Sequence, residues 1–115
     1  MPVHVSCHCG KIALTLDAEP AEAIECNCSM CRRKGSILFG TSKDKLKVRA
    51  DPEAVGTYTF HKHVIQHHFC KTCGCSPYAE GEVNGTPMAM VNLRCAEDVD
   101  LDSLKIMKFD GANYL

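Results

Sequence analysis

The amino-acid sequence predicts a small all-β protein whose fold is strengthened by bound metal. Short runs of alternating apolar and polar residues recur along the 115 residues, and turn-forming residues separate them. No amphipathic pattern extends beyond about two helical turns, which confines helix to short pieces. Eight of the nine cysteines fall into three tight groups, a spacing typical of metal ligands.

Seven segments have the alternation or the composition of β-strands. In the first, Ile12, Leu14 and Leu16 fall on one face of an extended chain, as in a half-buried strand. The others are mostly rich in β-branched and aromatic residues, which favour strands. A helical turn is predicted over 99–104, and turns over 51–52, 84–87 and 110–111. The predicted strands are 11–16, 36–40, 46–49, 56–60, 64–69, 88–93 and 105–109.

Length and charge limit the classes of protein that the chain can represent. Its 115 residues fit a single domain over 1–115, and 13 basic against 14 acidic residues leave a net charge of −1. That balance argues against nucleic acid as the partner. The longest apolar run, 88–91, is four residues, far short of the ~20 that span a bilayer. The first residues lack a secretory signal pattern, so we expect a soluble, cytoplasmic protein without a membrane partner.

The cysteine spacing favours metal binding over disulfide bonds. The number of cysteines is odd, and thiols in a reducing cytosol are more often metal ligands than disulfides. A disulfide between close neighbours is strained and closes too small a loop to stabilise the chain. Two thiolates within one turn, in contrast, can reach the same ion.

The first and third cysteine groups predict one structural zinc site. Both have the form of a turn that ends in glycine, and they supply two thiolates each, enough for a closed tetrahedral shell. The site would join the N-terminal strand to the middle of the chain. The alternative is that these cysteines are buried and inert. The four proposed ligands are Cys7, Cys9, Cys70 and Cys73.

The second cysteine group predicts a zinc site of a different kind. Cys26, Cys28 and Cys31 supply three thiolates within six residues and have no fourth partner nearby. Three protein ligands with one open position is the catalytic arrangement of zinc. The alternative is a second closed site, completed by Cys75 or by a histidine. Two zinc ions per chain are therefore expected.

A basic triplet follows the second cysteine group. Arg32, Arg33 and Lys34 could offset thiolate charge or attract the carboxylates of an anionic thiol, or could form an ordinary solvated turn.

The remaining candidates for functional residues are weaker. We expect a packed or surface thiol at Cys95 and a side chain pointing away from the metal at His8. His61, His63 and His67 could line one strand face near the zinc and carry protons, but a hydrated face is the preferred interpretation.

With these motifs, the chain resembles the glutathione-dependent formaldehyde-activating enzyme family, which includes centromere protein V. The resemblance covers nearly the whole chain and depends mainly on three cysteine motifs in order. They are SCHCG at 6–10, ECNCSMCRRKG at 25–35 and HFCKTCG at 68–74. The segments VNLRC at 91–95 and FDGANY at 109–114 are also similar to the family. Cys75 departs from the family's pattern, in which an apolar residue or threonine is expected.

The resemblance implies a β-tent fold of antiparallel sheets clamped by zinc. It implies a structural ion on Cys7, Cys9, Cys70 and Cys73, and a catalytic ion on the second cysteine group. It also implies carbon–sulfur lyase chemistry, the condensation of formaldehyde with glutathione to S-(hydroxymethyl)glutathione. Glutathione or its aldehyde adduct would then be the small-molecule partner.

Three functions from different classes follow from the sequence. The first is a zinc-dependent carbon–sulfur lyase that acts on a thiol–aldehyde adduct, with Cys26, Cys28 and Cys31 at its catalytic centre. The second is a non-catalytic zinc module that binds a protein partner or senses thiol oxidation. The third, nucleic-acid binding, is suggested by one branch of the family and by four basic residues, and the net charge argues against it. The four are Lys43, Lys45, Lys47 and Arg49.

Overall fold

The computed structural model describes residues 2–59, 65–83 and 85–110. These segments form two β-sheets and one short α-helix, α1 (Ser29–Lys34). Four 3₁₀ turns connect some of the strands, among them Leu101–Ser103. The strands are β1 (Val3–Ser6), β2 (Ile12–Leu16), β3 (Glu22–Cys26), β4 (Leu38–Ser42), β5 (Leu46–Ala50), β6 (Val55–Tyr58), β7 (Gln66–Cys70), β8 (Tyr78–Val83), β9 (Thr86–Asn92) and β10 (Lys105–Phe109).

The smaller sheet has three strands in the order β1-β2-β5, and both pairs are antiparallel. In β2, Ile12, Leu14 and Leu16 point to one face and are almost completely buried, as their alternation predicts. The turn between β1 and β2 carries the first cysteine group. This sheet therefore fixes the position of that group relative to the core.

The larger sheet has seven strands in the order β10-β3-β4-β9-β8-β7-β6. All its neighbouring strands are antiparallel except β10 and β3, which run parallel with Lys105 opposite Glu22 and Phe109 opposite Cys26. The expected antiparallel arrangement thus has one exception. This exception places the end of β10 beside the second cysteine group.

Both sheets contribute to one main hydrophobic core. Val5 and Ile12 of the small sheet are buried in the same cluster as Tyr78 and Val91 of the large sheet, with Leu93 just beyond β9. Cys26, Cys28, Cys31 and Leu38 form a second, smaller cluster of buried side chains. The second cysteine group therefore lies within packed apolar surroundings rather than on an exposed loop.

The predicted all-β class and the short helical pieces are confirmed. All seven predicted strands overlap observed ones where the chain is described, and the helical turn predicted over 99–104 occurs at Leu101–Ser103. Residues 60–64, 84 and 111, which belong to predicted strands and turns, lie outside the described residues. Three strands, β1, β3 and β8, and the helix α1 were not predicted. No helix in the described segments is long and apolar enough to cross a membrane.

Candidate metal centres

The first centre consists of four cysteines that two separate turns bring together. Cys7 and Cys9 lie in the β1–β2 turn, and Cys70 and Cys73 lie at the end of β7 and in the turn that follows. The Sγ atoms of all four lie within 4.8 Å of one another. The Sγ of Cys9 is 3.6 Å from that of Cys7 and 3.5 Å from that of Cys70. Four thiols at this spacing can surround a single ion.

The two turns of this centre each contain a glycine in the same left-handed conformation. Gly10 and Gly74 both adopt φ of +84°, a left-handed conformation that glycine adopts without strain. The N–H of Gly10 donates to the carbonyl of Cys7, and that of Gly74 to the carbonyl of Cys70. Each turn also directs a backbone N–H at a sulfur: Ile12 donates to Cys7 Sγ at 3.4 Å, and Cys73 to Cys70 Sγ at 3.5 Å.

These backbone donors favour the thiolate form that metal binding requires. Hydrogen bonds from the backbone of Cys75 and of Cys9 lower the pKa of Cys73 to about 5. A backbone hydrogen bond from Cys73 likewise lowers the pKa of Cys70. The donor chemistry of this centre therefore fits a thiolate-bound cation such as zinc.

The second centre contains Cys26, Cys28 and Cys31, whose Sγ atoms lie within 4.8 Å of one another. Cys26 is the last residue of β3, Cys28 is the N-cap of α1, and Cys31 lies in that helix. The N–H of Cys31 donates to Cys28 Sγ at 3.3 Å, and the N–H of Cys28 to Cys26 Sγ at 3.4 Å. All three side chains are buried. Backbone N–H groups at the start of the helix therefore orient the Cys26 and Cys28 sulfurs.

The environment separates the pKa values of neighbouring thiols in this centre. Burial alone would raise the pKa of Cys28, but hydrogen bonds from the backbone and side chain of Cys31 outweigh it and lower that pKa. Burial and the adjacent Cys28 sulfur raise the pKa of Cys31 above its usual range. A cation between the sulfurs would favour the thiolate form of both.

The C-terminal strand supports the loop that carries these cysteines. The N–H of Asn27 donates to the carbonyl of Phe109 at 3.2 Å, and Asn27 Nδ2 donates to Asp110 Oδ1 at 3.0 Å. Both contacts follow from the parallel pairing of β10 with β3. The end of the described chain thus helps to position the second centre, a role that its sequence alone did not indicate.

Cys75 and Cys95 lie outside both clusters and are partly buried against the main core. Cys95 Sγ accepts a hydrogen bond of 3.7 Å from Asn92 Nδ2, which agrees with the packed thiol expected there. Within the described segments, the second cluster has three members, and neither Cys75 nor a histidine completes it.

His67 differs from the hydrated face expected for it. His61 and His63 lie outside the described residues, and His8 is exposed. His67, on β7, is only 6% exposed, so the interpretation as a hydrated face is wrong for this residue. The neighbouring strands bury it, and it lines a small cavity together with Cys31.

The three residues of the basic triplet differ in their exposure to solvent. Arg32 and Arg33 are exposed, and Arg33 Nη1 donates to the carbonyl of Ser29 at 2.8 Å. Lys34 is partly buried and lines the cavity that contains Cys31 and His67. Burial lowers the pKa of Lys34, and the nearby Cys31 and Cys28 sulfurs raise it. Two cations therefore face solvent, and one faces the interior beside the second centre.

The four basic residues that suggested nucleic-acid binding lie in two consecutive elements, and Lys43 and Lys45 belong to a 3₁₀ turn rather than to a sheet. Lys47 and Arg49 lie on β5 of the small sheet, whereas Lys43 Nζ forms an ion pair of 2.6 Å with Glu80 Oε2 on β8 of the large sheet. Glu80 Oε1 also lies 3.2 Å from His68 Nε2. This carboxylate therefore offsets the charge of Lys43, one of the four residues.

Together, the fold and the two cysteine clusters define a small β-sheet protein that can hold metal ions on thiols. The sequence model of the glutathione-dependent formaldehyde-activating enzyme family matches residues 2–107. The chain belongs to this family. Its fold is similar to that of a Rhodobacter sphaeroides protein solved by a structural genomics programme. That similarity has a TM-score of 0.75 and 28% identity, and it covers 90% of this chain and 99% of the other.

Proposed function

We propose that the protein is a zinc-dependent carbon–sulfur lyase that interconverts S-(hydroxymethyl)glutathione with glutathione and formaldehyde. The three-thiol cluster of Cys26, Cys28 and Cys31 is the observation that carries this proposal, because the described residues supply it with no fourth ligand. An incomplete protein shell leaves room for a substrate at the metal. The family to which the chain belongs is named for glutathione-dependent activation of formaldehyde, which supports the proposal.

The proposed ligands divide into a structural and a catalytic set. Cys7, Cys9, Cys70 and Cys73 would hold the structural zinc, since four thiols close a tetrahedral shell. Cys26, Cys28 and Cys31 would hold the catalytic zinc. The backbone donors and the close sulfur spacing in both clusters support this assignment. Zinc at the second centre would supply a Lewis acid that holds the substrate sulfur as a thiolate at neutral pH.

The reaction requires a proton transfer and one carbon–sulfur bond. In the condensation, the thiol loses its proton, its sulfur bonds to the carbonyl carbon, and the π electrons move to the oxygen, which takes up a proton. The reverse direction breaks the same bond. The chain's own residues orient the proposed ligands: the Cys31 N–H fixes Cys28 Sγ, and the Asn27 contact with Phe109 fixes the loop between Cys26 and Cys28.

Arg32 and Arg33 are proposed to bind the carboxylates of glutathione. Both are exposed at the last turn of α1, which begins at the second centre. Guanidinium groups match carboxylates geometrically and can donate two hydrogen bonds to each. Because these pairs are exposed to solvent, each should contribute only modestly to affinity.

Calorimetric titration of the zinc-loaded protein with glutathione tests the proposed binding site. Cys28→Ser should abolish binding, whereas Arg32→Gln and Arg33→Gln should each weaken it by about two- to fivefold. Lys71→Gln is the matched control, because Lys71 is an exposed cation in the turn of the other centre. Loss of binding in the control but not in Cys28→Ser would contradict the proposal. Glutathione binding that is followed by no catalysis would instead favour a sensor or binding module.

A further inference from the structure

A small buried cavity lies beside the second centre, between α1 and the large sheet. Its volume is about 10 Å³, the lower limit for holding one water molecule. Cys31 and Lys34 of α1 form one side, and His67 of β7 and Met90 of β9 are on the sheet side. Ser36, between α1 and β4, completes the polar part of the lining. The cavity thus adjoins one of the proposed zinc ligands.

Ser36 has a hydroxyl group that the described residues leave unsatisfied. Its side chain is only 3% exposed, and its Oγ has no hydrogen-bond partner among them. A buried hydroxyl without a partner costs about 1–3 kcal/mol, so native proteins rarely retain one without a reason. A small polar ligand in the cavity would supply the missing hydrogen bond.

The neighbouring Asn92 cannot supply that hydrogen bond because the backbone already uses its amide. Asn92 Oδ1 accepts from the N–H groups of Ile37 and Arg94, and its Nδ2 donates to the carbonyl of Ser76. Lys34 also lines this cavity. The lining residues therefore include one cationic side chain and one hydroxyl-bearing side chain beside a space about the size of a water molecule.

We propose that this cavity is an oxygen subsite that binds the oxygen of the adduct's one-carbon group, with Lys34 and Ser36 as donors. This inference rests on the proposed function, which places the substrate sulfur at the adjoining centre. During condensation the carbonyl oxygen gains negative charge, and the ammonium group of Lys34, directed at it in this mostly enclosed cavity, would stabilise that charge. The volume accepts one oxygen and excludes a longer polar chain.

The oxygen subsite can be tested by measuring the affinity of the adduct for the protein, independently of the rate of catalysis. The adduct is prepared from ¹³C-formaldehyde and excess glutathione, and the NMR shift of its hydroxymethyl carbon gives its dissociation constant for the zinc-loaded protein. Glutathione alone is titrated in parallel. Lys34→Met should weaken adduct binding by about tenfold, and Ser36→Ala by about threefold to tenfold. Glutathione binding should change by less than about twofold in both variants, because free glutathione carries no such oxygen.

Matched control variants distinguish an effect of the cavity residues on adduct affinity from a general effect of losing a cation or a hydroxyl group. Lys47→Met removes an exposed cation on β5, and Ser103→Ala removes an exposed hydroxyl, so neither should change the ratio of adduct to glutathione affinity. Thermal melts and zinc content verify that each variant is folded and loaded. Equal losses for adduct and glutathione, or no loss for either, would overturn the oxygen subsite alone. A wild-type protein that binds neither ligand would overturn the proposed function, and the subsite with it.

Discussion

The Sγ atoms of Cys9 and Cys70 lie 3.5 Å apart although the two residues are 61 positions apart in the sequence. Cys9 belongs to the turn between two strands of the small sheet, and Cys70 ends a strand of the large sheet. A metal ion bound to both would therefore link the two sheets covalently. Structural zinc in finger peptides contributes about 10–16 kcal/mol, which is comparable to the net stability of a whole domain.

Metal content is the first prediction. Protein purified without chelators should carry two zinc ions per chain, one for each cysteine cluster. A chelator should remove the ion at the three-thiol cluster first, because fewer protein ligands hold it. Elemental analysis during stepwise chelation measures the zinc content of the protein and the order in which the two ions are lost. Protein that contains no zinc, or that loses both ions together, would contradict the assignment of the two clusters.

Substitution of a ligand should have different consequences at the two centres. Cys73→Ser should strongly destabilise or unfold the protein, because it breaks a link between distant segments. Cys28→Ser should leave a folded protein, since the ligands of the second centre span only 26–31. Thermal unfolding followed by circular dichroism compares the two variants, and Cys95→Ser is the control thiol outside both clusters. Equal destabilisation by both ligand substitutions would show that the division into structural and catalytic ions is wrong.

Gly56 should not tolerate a side chain, because the ring of Phe69 covers it. These residues are opposite each other on β6 and β7, and a Cβ at Gly56 would overlap with Phe69 Cζ. Gly56→Ala should therefore displace the ring and lower the free energy of unfolding by about 1–3 kcal/mol. Gly40→Ala is the matched control, since a Cβ on that β4 residue has nothing within 4 Å. Denaturant unfolding that gives the same stability for both variants would contradict this packing.

Stability should fall as the pH decreases below about 6.5, in part because of His67. Burial, followed by the charges of Lys34 and His68, lowers the pKa of His67 to about 4. Between that value and the ~6.5 of an unfolded histidine, the unfolded chain binds more protons than the folded one, so acid favours unfolding. The contribution is at most about 1.4 kcal/mol per pH unit in this range. His67→Gln should reduce the slope of stability against pH, measured with zinc content followed at each pH. If stability changed with pH at the same rate in the wild-type protein and in His67→Gln, the interpretation of His67 as buried and neutral would be contradicted.

Sequence patterns predicted the strands whose burial alternates regularly. In β2 the alternation from Ile12 to Leu16 matches the observed burial residue by residue. In β8, however, Glu80, Gly81 and Glu82 are residue types that are uncommon in strands. Glu80 forms an ion pair with Lys43, and its carboxylate lies 3.2 Å from His68 Nε2. This compensation comes from tertiary contacts and cannot be inferred from a local pattern.

The two cysteine clusters could be predicted from spacing, but the surroundings of the second could not. The N-cap of α1 is Cys28, and cysteine is not one of the usual N-cap residues. The helix has six residues and is followed by Gly35 in a left-handed conformation. A helix this short leaves no detectable periodicity. Lys34, Ser36 and His67 meet only because α1 packs against the large sheet, so no sequence motif relates them.

The most direct test of the proposed lyase activity is ¹³C exchange spectroscopy on a mixture of glutathione and ¹³C-formaldehyde at equilibrium. The uncatalysed exchange is measured first and subtracted. The zinc-loaded protein should accelerate exchange between the adduct and free formaldehyde above this background, and Cys28→Ser should abolish the excess. Exchange at the background rate with fully zinc-loaded, glutathione-binding wild-type protein would contradict the account.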